Sequence, residues 1–346
     1  MKFILCTGGL GFIGSHTVVE LVNYGYNVLI LDDLSNSEVS VLEKIKLLCD
    51  ISKIKFIKGN ILNNQNLDLV FQNKISCVIH FAAFKSVNES IKYPLKYYEN
   101  NITGTINLLN KCQEYNVKKF IFSSSATVYG SSKSPLNENS QIGIGITNPY
   151  GNSKYIVEQI LKDLKDFKII NLRYFNPVGA HKSGLIGENP SDIPNNLMPF
   201  VLRVAIKNNL DPNYDDVYKQ LNIFGKDYNS NDGTAVRDFI HVVDLAKAHV
   251  CAVNKVLNME SNYEIYNIGT GNGTSVLEIV NTFKKVNNIK LPYEFKPKRE
   301  GDNDIVYCET TKANNELNWK AELNIEDICK DTYNFALQKV EKRNIY

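Results

Sequence analysis

Tyr150 and Lys154 stand four residues apart in YGNSK, which on a helix puts both side chains on one face. That pairing suits proton transfer. A free phenol titrates at about pH 10 and is a poor base at neutral pH; a neighbouring ammonium favours the phenolate and draws its pKa down. Taken alone, Tyr-x-x-x-Lys also describes many ordinary surface pairs. Here it follows FSSSATVYG, an apolar stretch that ends in Ser123, Ser124 and Ser125. Hydroxyls at such a strand end can bond a substrate hydroxyl and ease its proton toward Tyr150. They can equally serve the backbone of a turn, and one or two of the three are expected to do so.

A second cluster lies at the amino end. TGGLGFIG supplies Gly8, Gly11 and Gly14 between an apolar run and a helix-like segment. Gly8 lets the chain turn sharply, Gly11 lets a pyrophosphate approach the main chain, and Gly14 removes a side chain where helix meets sheet. Twenty-one residues past Gly11, VLILDD ends in Asp32 and Asp33. A carboxylate there accepts both ribose hydroxyls of an adenosine and repels a 2′-phosphate. The first basic residue after Asp33 is Lys44, so the pattern predicts NAD rather than NADP. The nicotinamide ring, positive when oxidised, would add to the pull on Tyr150.

These groups need a scaffold that brings residues 7, 32, 125 and 150 together. Short apolar runs at Phe3–Cys6, Val28–Leu31, Ile54–Ile57, Val78–Phe81, Lys119–Ser123 and Ile169–Arg173 read as strands. Between them Phe12–Tyr24, Val41–Cys49, Leu67–Phe71, Tyr97–Tyr115 and Tyr150–Leu164 read as helices. Near-continuous apolar strands alternating with helices imply an α/β fold, a doubly wound parallel sheet of Rossmann type. After Asn176 the rhythm changes, with a helix near Phe200–Asn208, strands near Leu221–Phe224 and Arg237–His241, a helix at Val242–Leu257, a strand at Tyr263–Ile268, and helices at Ser275–Val286 and Ile325–Val340. The expected division is residues 1–175 for the dinucleotide, rejoined by about 235–262, with 176–234 and 263–346 forming a smaller mixed α/β substrate lobe.

Composition narrows the classes. The 346 residues carry 39 Lys+Arg against 37 Asp+Glu, a net charge of +2. No positive field for nucleic acid or an anionic membrane arises from that balance, and no basic stripe with interleaved aromatics appears. No stretch of about 18 apolar residues could span a bilayer, and the amino end lacks the apolar core of a signal peptide. Seven scattered cysteines without a CxxC pair point to reduced, mostly buried thiols in the cytoplasm and to no metal site.

The longer strings are specific. TGGLGFIGSHT, LDDLSNS, VIHFAAFKSVNES, NPYGNSK, LRYFNPVGAH, IPNNLMP, DGTAVRDFIHVVDLA and REGD make the whole chain resemble the extended short-chain dehydrogenase/reductases, in the branch that epimerises UDP-sugars at C4. That resemblance implies a catalytic triad of Ser125, Tyr150 and Lys154. It implies NAD against Gly8, Gly11, Phe12, Ile13 and Gly14, with Asp32 on the adenosine ribose. Asp33, Leu34, Ser35, Asn36 and Ser37 complete that loop, and Asn60 and Ile61 flank adenine. Phe81, Ala82, Ala83, Phe84, Lys85 and Asn100 would run beside the cofactor, with Phe175 packed on the nicotinamide. Substrate would meet Lys85, Asn176, Asn196 and Leu197, its uracil Asn222 and Phe224, and its diphosphate and ribose Arg237, Arg299 and Asp302. An Arg237–Asp238 ion pair and a solvated KPKRE face are the structural alternatives for that last group. The family also implies a homodimer packed through Tyr97–Tyr115 and Tyr150–Leu164.

The expected reaction interconverts UDP-glucose and UDP-galactose through a 4-ketopyranose, part of galactose metabolism. Four departures stand out. Asn60 replaces a usual Asp, its carbonyl still able to accept from the adenine amino group, and Asn152 replaces a common Lys. Residues 208–220 form a longer surface loop. Val306 stands where a Tyr would block a C2 N-acetyl group, so UDP-GlcNAc and UDP-GalNAc are expected substrates too. The alternatives are a nucleotide-sugar 4,6-dehydratase, which needs an acid–base pair where Ala126 and Thr127 stand, an NAD-dependent dehydrogenase releasing NADH, and an NAD-binding sensor without chemistry.

Overall fold

Apolar side chains on both faces of one set of strands decide the architecture. In the computed structural model, which describes residues 1–190, 193–194, 196–299 and 301–343 and side chains up to Val340, β1 (Phe3–Thr7) sends Ile4 and Cys6 into one apolar cluster and Leu5 into another. Such a strand needs helices above and below. Asn195 and Glu300, within two of the strings quoted above, lie outside the described residues.

β2 (Val28–Asp32), β3 (Ile54–Lys58), β4 (Ile75–His80), β5 (Lys119–Ser125) and β6 (Lys168–Tyr174) continue the sheet. They alternate with α1 (Phe12–Tyr24), α2 (Val39–Lys46), α3 (Asn64–Phe71), α4 (Val87–Lys92), α5 (Pro94–Tyr98), α6 (Gly104–Glu114) and α7 (Pro149–Asp163). The remainder comprises β7 (Asn176–Val178), α8 (Leu197–Asn209), β8 (Leu221–Phe224), β9 (Val236–Arg237), β10 (Phe239–His241) and α9 (Val242–Asn258). It ends with β11 (Tyr263–Ile268), β12 (Thr274–Ser275), α10 (Val276–Val286), β13 (Tyr293–Lys296), β14 (Ile305–Val306), α11 (Thr311–Glu316) and α12 (Ile325–Arg343).

The main sheet is parallel throughout in the order β3-β2-β1-β4-β5-β6-β11. Its order reverses between β1 and β4, and at such a switch the loops beyond the carboxyl ends part to admit a ligand. Val18 and Leu21 of α1 and Val253 of α9 cover one face, while Leu67 of α3, Leu108 of α6 and Leu161 of α7 cover the other. A separate core around Val201, Phe283 and Ile328 joins α8, α10 and α12 into the lobe. No helix of the described residues is long and apolar enough to cross a membrane.

The division of the chain differs from expectation at its edges. Tyr263–Ile268, placed in the lobe by its sequence position, is the seventh strand of the main sheet, paired from Tyr263↔Ile169 to Ile268↔Tyr174. Buried Tyr266 and Ile268 complete the first cluster, which is why the edge of β6 is covered. Trp319 also packs there, its Nε1 donating to the Asp244 carbonyl at 3.0 Å. Conversely Val236 and Arg237 belong with the lobe, paired to β12 and β14. The strand expected over Arg237–His241 breaks at Asp238, whose buried carboxylate accepts from the backbone of Thr270 and Gly271. β13, unforeseen, runs parallel to β8.

Two further segments depart from the sequence reading. The helix expected over Tyr97–Tyr115 widens into a π-type turn at Glu99–Thr103, a feature often found at functional sites. The 208–220 segment is tied down at its base. Lys207 Nζ donates to the carbonyls of Pro212 and Tyr214, and Tyr218 is buried beside Phe200.

Candidate active site

The carboxyl edge of the sheet opens into a cleft of about 1430 Å³ that extends into the lobe. Every candidate site residue taken from the sequence lines it except Leu34. Leu34 adopts a left-handed φ of +63° so that its N–H can donate to Asp32 Oδ1, and its side chain turns into the first core cluster. The loop expectation therefore fails at that side chain.

At the switch between β1 and β4, two loops touch. The Phe81 N–H donates to the Thr7 carbonyl at 3.0 Å, and a Cβ on Gly8 (φ +69°) would stand 2.8 Å from the Ala82 nitrogen. Gly11 precedes α1 in extended backbone with no side-chain cap, and no acid occupies the first turn. The positive helix end is thus left for an anion. Asp32 is buried; its Oδ1 accepts from Leu34 N and Ser37 Oγ, while Oδ2 accepts only from Leu10 N at 2.9 Å among the described residues. The second lone pair of Oδ2 is therefore available to a ribose hydroxyl. A glycine cradle, an uncapped helix and a half-used carboxylate fit NAD.

Asn60 is oriented differently from expectation. Its Nδ2 donates to Asp33 Oδ2 at 2.7 Å and its Oδ1 accepts from Leu62 N at 2.7 Å. The amide needs both partners, which leaves one lone pair for adenine. An ionised Asp at this position would have set two carboxylates against each other.

The proton-transfer group forms where β5 meets α7. Asn148 caps α7 by accepting from Gly151 N, and Pro149 starts it, so Tyr150 falls in the first turn at the cleft. Alternation along β5 divides the serines. Ser124 turns away and donates to Glu158 Oε1 at 2.5 Å, whereas Ser125 accepts from Thr127 N and faces Tyr150. Lys154 is buried, its Nζ donating to the Ser123 carbonyl at 2.6 Å and lying 6.0 Å from the Tyr150 ring centre. Burial pushes Lys154 down to about 7, against the pull of Glu158.

Tyr150 differs from the sequence expectation. Burial raises its phenol above the usual range; Ser125 and the charge of Lys85 draw it back. Lys154, beside it on the same helix, has its own ammonium form disfavoured by burial. The protein's own groups therefore keep the phenol protonated at neutral pH.

Sequence reasoning missed the support behind these residues. Glu158, four residues beyond Lys154 on the same helical face, is fully buried and accepts from Arg173 Nε and Nη2 at 3.0 and 2.6 Å. Arg173 Nη1 donates in turn to Tyr129, and Tyr129 to Asn267. The helical spacing could have flagged Glu158; nothing local points to Arg173. Asn101, within the π-type turn, donates to the Phe84 carbonyl and to Ser153 Oγ and accepts from Phe84 N. It ties the loop after β4 to α7. Thr127 Oγ1 is buried without a partner among the described residues and lines the cleft.

The lobe end is built from charged side chains. Arg299 places Nε and Nη2 on Asp302 Oδ2 at 2.9 and 2.8 Å and lies over the Phe224 ring. Arg237 Nη2 stands 3.8 Å from Asp302, and Nη1 donates to the Asn303 carbonyl. The alternative Arg237–Asp238 pair is not formed, since Asp238 is occupied by Thr270 and Gly271. Tyr228, also missed, donates to Asp302 at 3.4 Å. Val306 sits opposite Arg237 in register, and Asn222 and Phe224 share β8. Nearer the sheet, Lys85 donates to Glu188 Oε1 at 2.6 Å and Asn196 to the same oxygen at 3.2 Å. Two guanidiniums share one carboxylate here, and the positive surplus suits a diphosphate.

Known proteins share this fold over nearly the whole chain. The chain is 47% identical over 343 residues to the UDP-glucose 4-epimerase of Bacillus subtilis (strain 168), covering 97% of each. Its structure is similar, at TM-score 0.90 and 43% identity over 98% of each chain, to the UDP-glucose 4-epimerase of Bifidobacterium longum in complex with NAD+ and UDP. A TM-score of 0.92 at 41% identity, over 99% of each chain, relates it to UDP-glucose-4-epimerase from Stenotrophomonas maltophila with bound NAD and formylated UDP-arabinopyranose. The model of the NAD dependent epimerase/dehydratase family matches residues 4–269. With the glycine loop, the Tyr150–Lys154 helix and all of the seven-stranded sheet but its first residue inside that span, the chain belongs to the NAD-dependent epimerase/dehydratase family.

Proposed function

We propose that the cleft interconverts UDP-glucose and UDP-galactose by reversible epimerisation at C4, with NAD held throughout. One observation carries this reading: an anion-seeking glycine turn, the Ser125–Tyr150–Lys154 group and a pair of arginines line a single continuous cleft. The relatives named above share that function by name.

When bound, NAD would supply a reversible hydride acceptor for the sugar C4. The first turn of α1 would hold its pyrophosphate, Asp32 the adenosine ribose and Lys154 the nicotinamide ribose, with Phe175 beside the ring. Ser125 holds the sugar C4 hydroxyl in line with the Tyr150 oxygen, which takes the proton as the 4-keto sugar forms and returns it to the new C4 oxygen. Because Tyr150 holds its proton in the protein alone, positive charge must gather near it before it acts as a base. Lys85 is already among the groups pulling it that way. Arg237 and Arg299 anchor the diphosphate, Asp302 the uridine ribose, and Asn222 and Phe224 the uracil. Asn176, Asn196 and Leu197 leave the hexose free enough to turn over about its phosphate link. A firm grip on the nucleotide and a loose one on the hexose is what presenting both sugar faces requires.

Ala126 and Thr127 follow Ser125 and provide no acid for dehydration. Val306 favours a second substrate pair, UDP-GlcNAc and UDP-GalNAc, because its compact side chain leaves space that Tyr would fill. Exposed Ile91, Leu95, Ile106 and Ile156 on α4 to α7 support a homodimer through those helices. Seven free cysteines, five of them buried, suit the cytoplasm. The test is a product assay with all four UDP-sugars and no added NAD. Conversion of UDP-galactose without accumulating NADH is expected, and its absence overturns the reading. In Val306→Tyr, N-acetyl-sugar turnover should fall about tenfold or more relative to hexose turnover.

A further inference from the structure

Lys85 and Asn196, two of the residues assigned to the substrate, come from different parts of the molecule and end on one oxygen. Lys85 belongs to the loop after β4, which Asn101 fixes by accepting from Phe84 N at 2.9 Å. Its Nζ lies 5.8 Å from the ring centre of Phe12 in the first turn of α1. Asn196 opens α8 in the lobe. Lys85 Nζ donates to Glu188 Oε1 at 2.6 Å, and Asn196 Nδ2 donates to the same oxygen at 3.2 Å. Asn196 stands at the N-cap position, where an Asn side chain ordinarily accepts from the helix backbone, yet it makes no cap hydrogen bond. Its amide serves Glu188 instead. Both donors line the cleft, whereas Glu188 does not. The Glu188 side chain is only 11% exposed. Its loop is closed by the Ala180↔Gly187 bridge, with Ala180 in the lobe core and Ile186 in the first apolar cluster. The carboxylate is therefore presented from a base wedged between the two cores.

The geometry points to Glu188 as a positioning residue that clasps the lobe to the sheet side of the cleft and so sets two side chains that meet the hexose. An exposed Lys–Glu pair on its own would hold little. Here one half-sequestered oxygen takes a charged donor from the sheet side and an amide from the lobe, and both bonds go when that oxygen is removed. The nucleotide is gripped elsewhere, by Arg237, Arg299 and Asp302, which pair with one another. The hexose has no comparable anchor, because it must turn over between the two hydride transfers. Closure of the lobe over the 4-keto sugar is what retains it during that turn, and Glu188 is the residue through which Lys85 and Asn196 hold the closure.

The kinetic arm of the test rests on the epimerase reading, and the binding arm needs no turnover. In a Tyr150→Phe background, which silences the reaction, calorimetry should show Glu188→Ala weakening UDP-glucose about fivefold and leaving UDP within about twofold. Lys85→Met should weaken UDP-glucose too, and adding Glu188→Ala to it should cost less than Glu188→Ala costs by itself, since one clasp breaks once. Losses that add, or a loss shared equally by UDP, overturn the proposal. Glu188→Gln keeps an acceptor oxygen for both donors and should lose less than Glu188→Ala; an equal loss means that the oxygen positions nothing, and the clasp falls. With Tyr150 intact and UDP-galactose as substrate, Glu188→Ala should let the 4-keto UDP-sugar escape. The hydride from C4 then stays behind as NADH and the hydroxyl proton passes through Tyr150 to solvent. NADH absorbance should climb during turnover in Glu188→Ala and stay flat in the wild type; a flat trace in both refutes retention by the clasp. Wild-type protein that converts no UDP-galactose, while the variants show the stated coupling in UDP-glucose binding, would remove the assigned reaction and leave the positioning role standing.

Discussion

At one end of the cleft, the backbones of Gly8 and Ala82 meet across the switch in the sheet and α1 offers an uncapped first turn. At the other end, Arg237, Arg299, Asp302 and Tyr228 hold one another through side chains on short strands and loops. The first end is main chain set by a parallel sheet. The second is a set of ion pairs satisfied internally, which a diphosphate must open and replace. The contrast matches the assigned chemistry, in which one ligand stays through every cycle while the other is exchanged.

The catalytic group lies between the two ends, and its removal should have the largest effect. Tyr150→Phe is expected to lower kcat by about 10²–10⁴-fold while copurified NAD stays at the wild-type level; loss of both together would mean that the phenol holds the cofactor rather than the proton. Acid comes next and should strike the sheet side. His80 bonds Thr7 and Thr105 under the glycine turn, and His249 accepts from Tyr174 behind Tyr150. Burial holds His16 and His80 at about 3 and His249 at about 4. These rings are neutral in the fold and titrate at about 6.5 when unfolded. Their contribution is complete above pH 6.5 and is lost as pH falls toward their folded values. Each costs about 1.4 kcal/mol by one unit below 6.5, so the urea midpoint should drop steeply between about pH 6.5 and 5.5. A flat profile would show that other groups compensate.

Gly14→Val tests the backbone end directly, since a Cβ there would collide with the Gly8 carbonyl. It should cost roughly 2–3 kcal/mol of stability and abolish copurification of NAD. The smallest effect is expected at the side-chain end. Arg299 is about half exposed, so Arg299→Ala should raise KM roughly tenfold with kcat nearly unchanged. A fall in kcat instead would place Arg299 in the transition state and weaken the distinction between the two ends.

The dinucleotide end was the more legible in the sequence because its parts are contiguous. TGGLGFIG, the Asp32 that closes β2 and the Tyr150–Lys154 spacing each lie within one strand-to-helix unit. The main-sheet strands were found at their apolar centres, with ends differing by at most three residues. Failures came where polar residues carry structure through distant partners. Asp238 broke an expected strand by collecting N–H groups from Thr270 and Gly271. Asn101 widened a helix by bonding Phe84 and Ser153. Tyr263–Ile268 joined the main sheet because the open edge of β6 required a partner.

The amino-acid sequence by itself determined the alternating α/β scaffold, the glycine turn, the preference for an unphosphorylated adenosine ribose and the pairing of Tyr150 with Lys154. Each depends on residues a few positions apart, where local backbone geometry decides the outcome. Only the tertiary structure decided that burial raises the Tyr150 phenol, that Glu158 is paired with Arg173 beneath it, and that Glu188 holds Lys85 together with Asn196. Charge and burial at a site are set by everything packed around it, and those neighbours come from segments up to about a hundred residues apart, as Lys85 and Glu188 do.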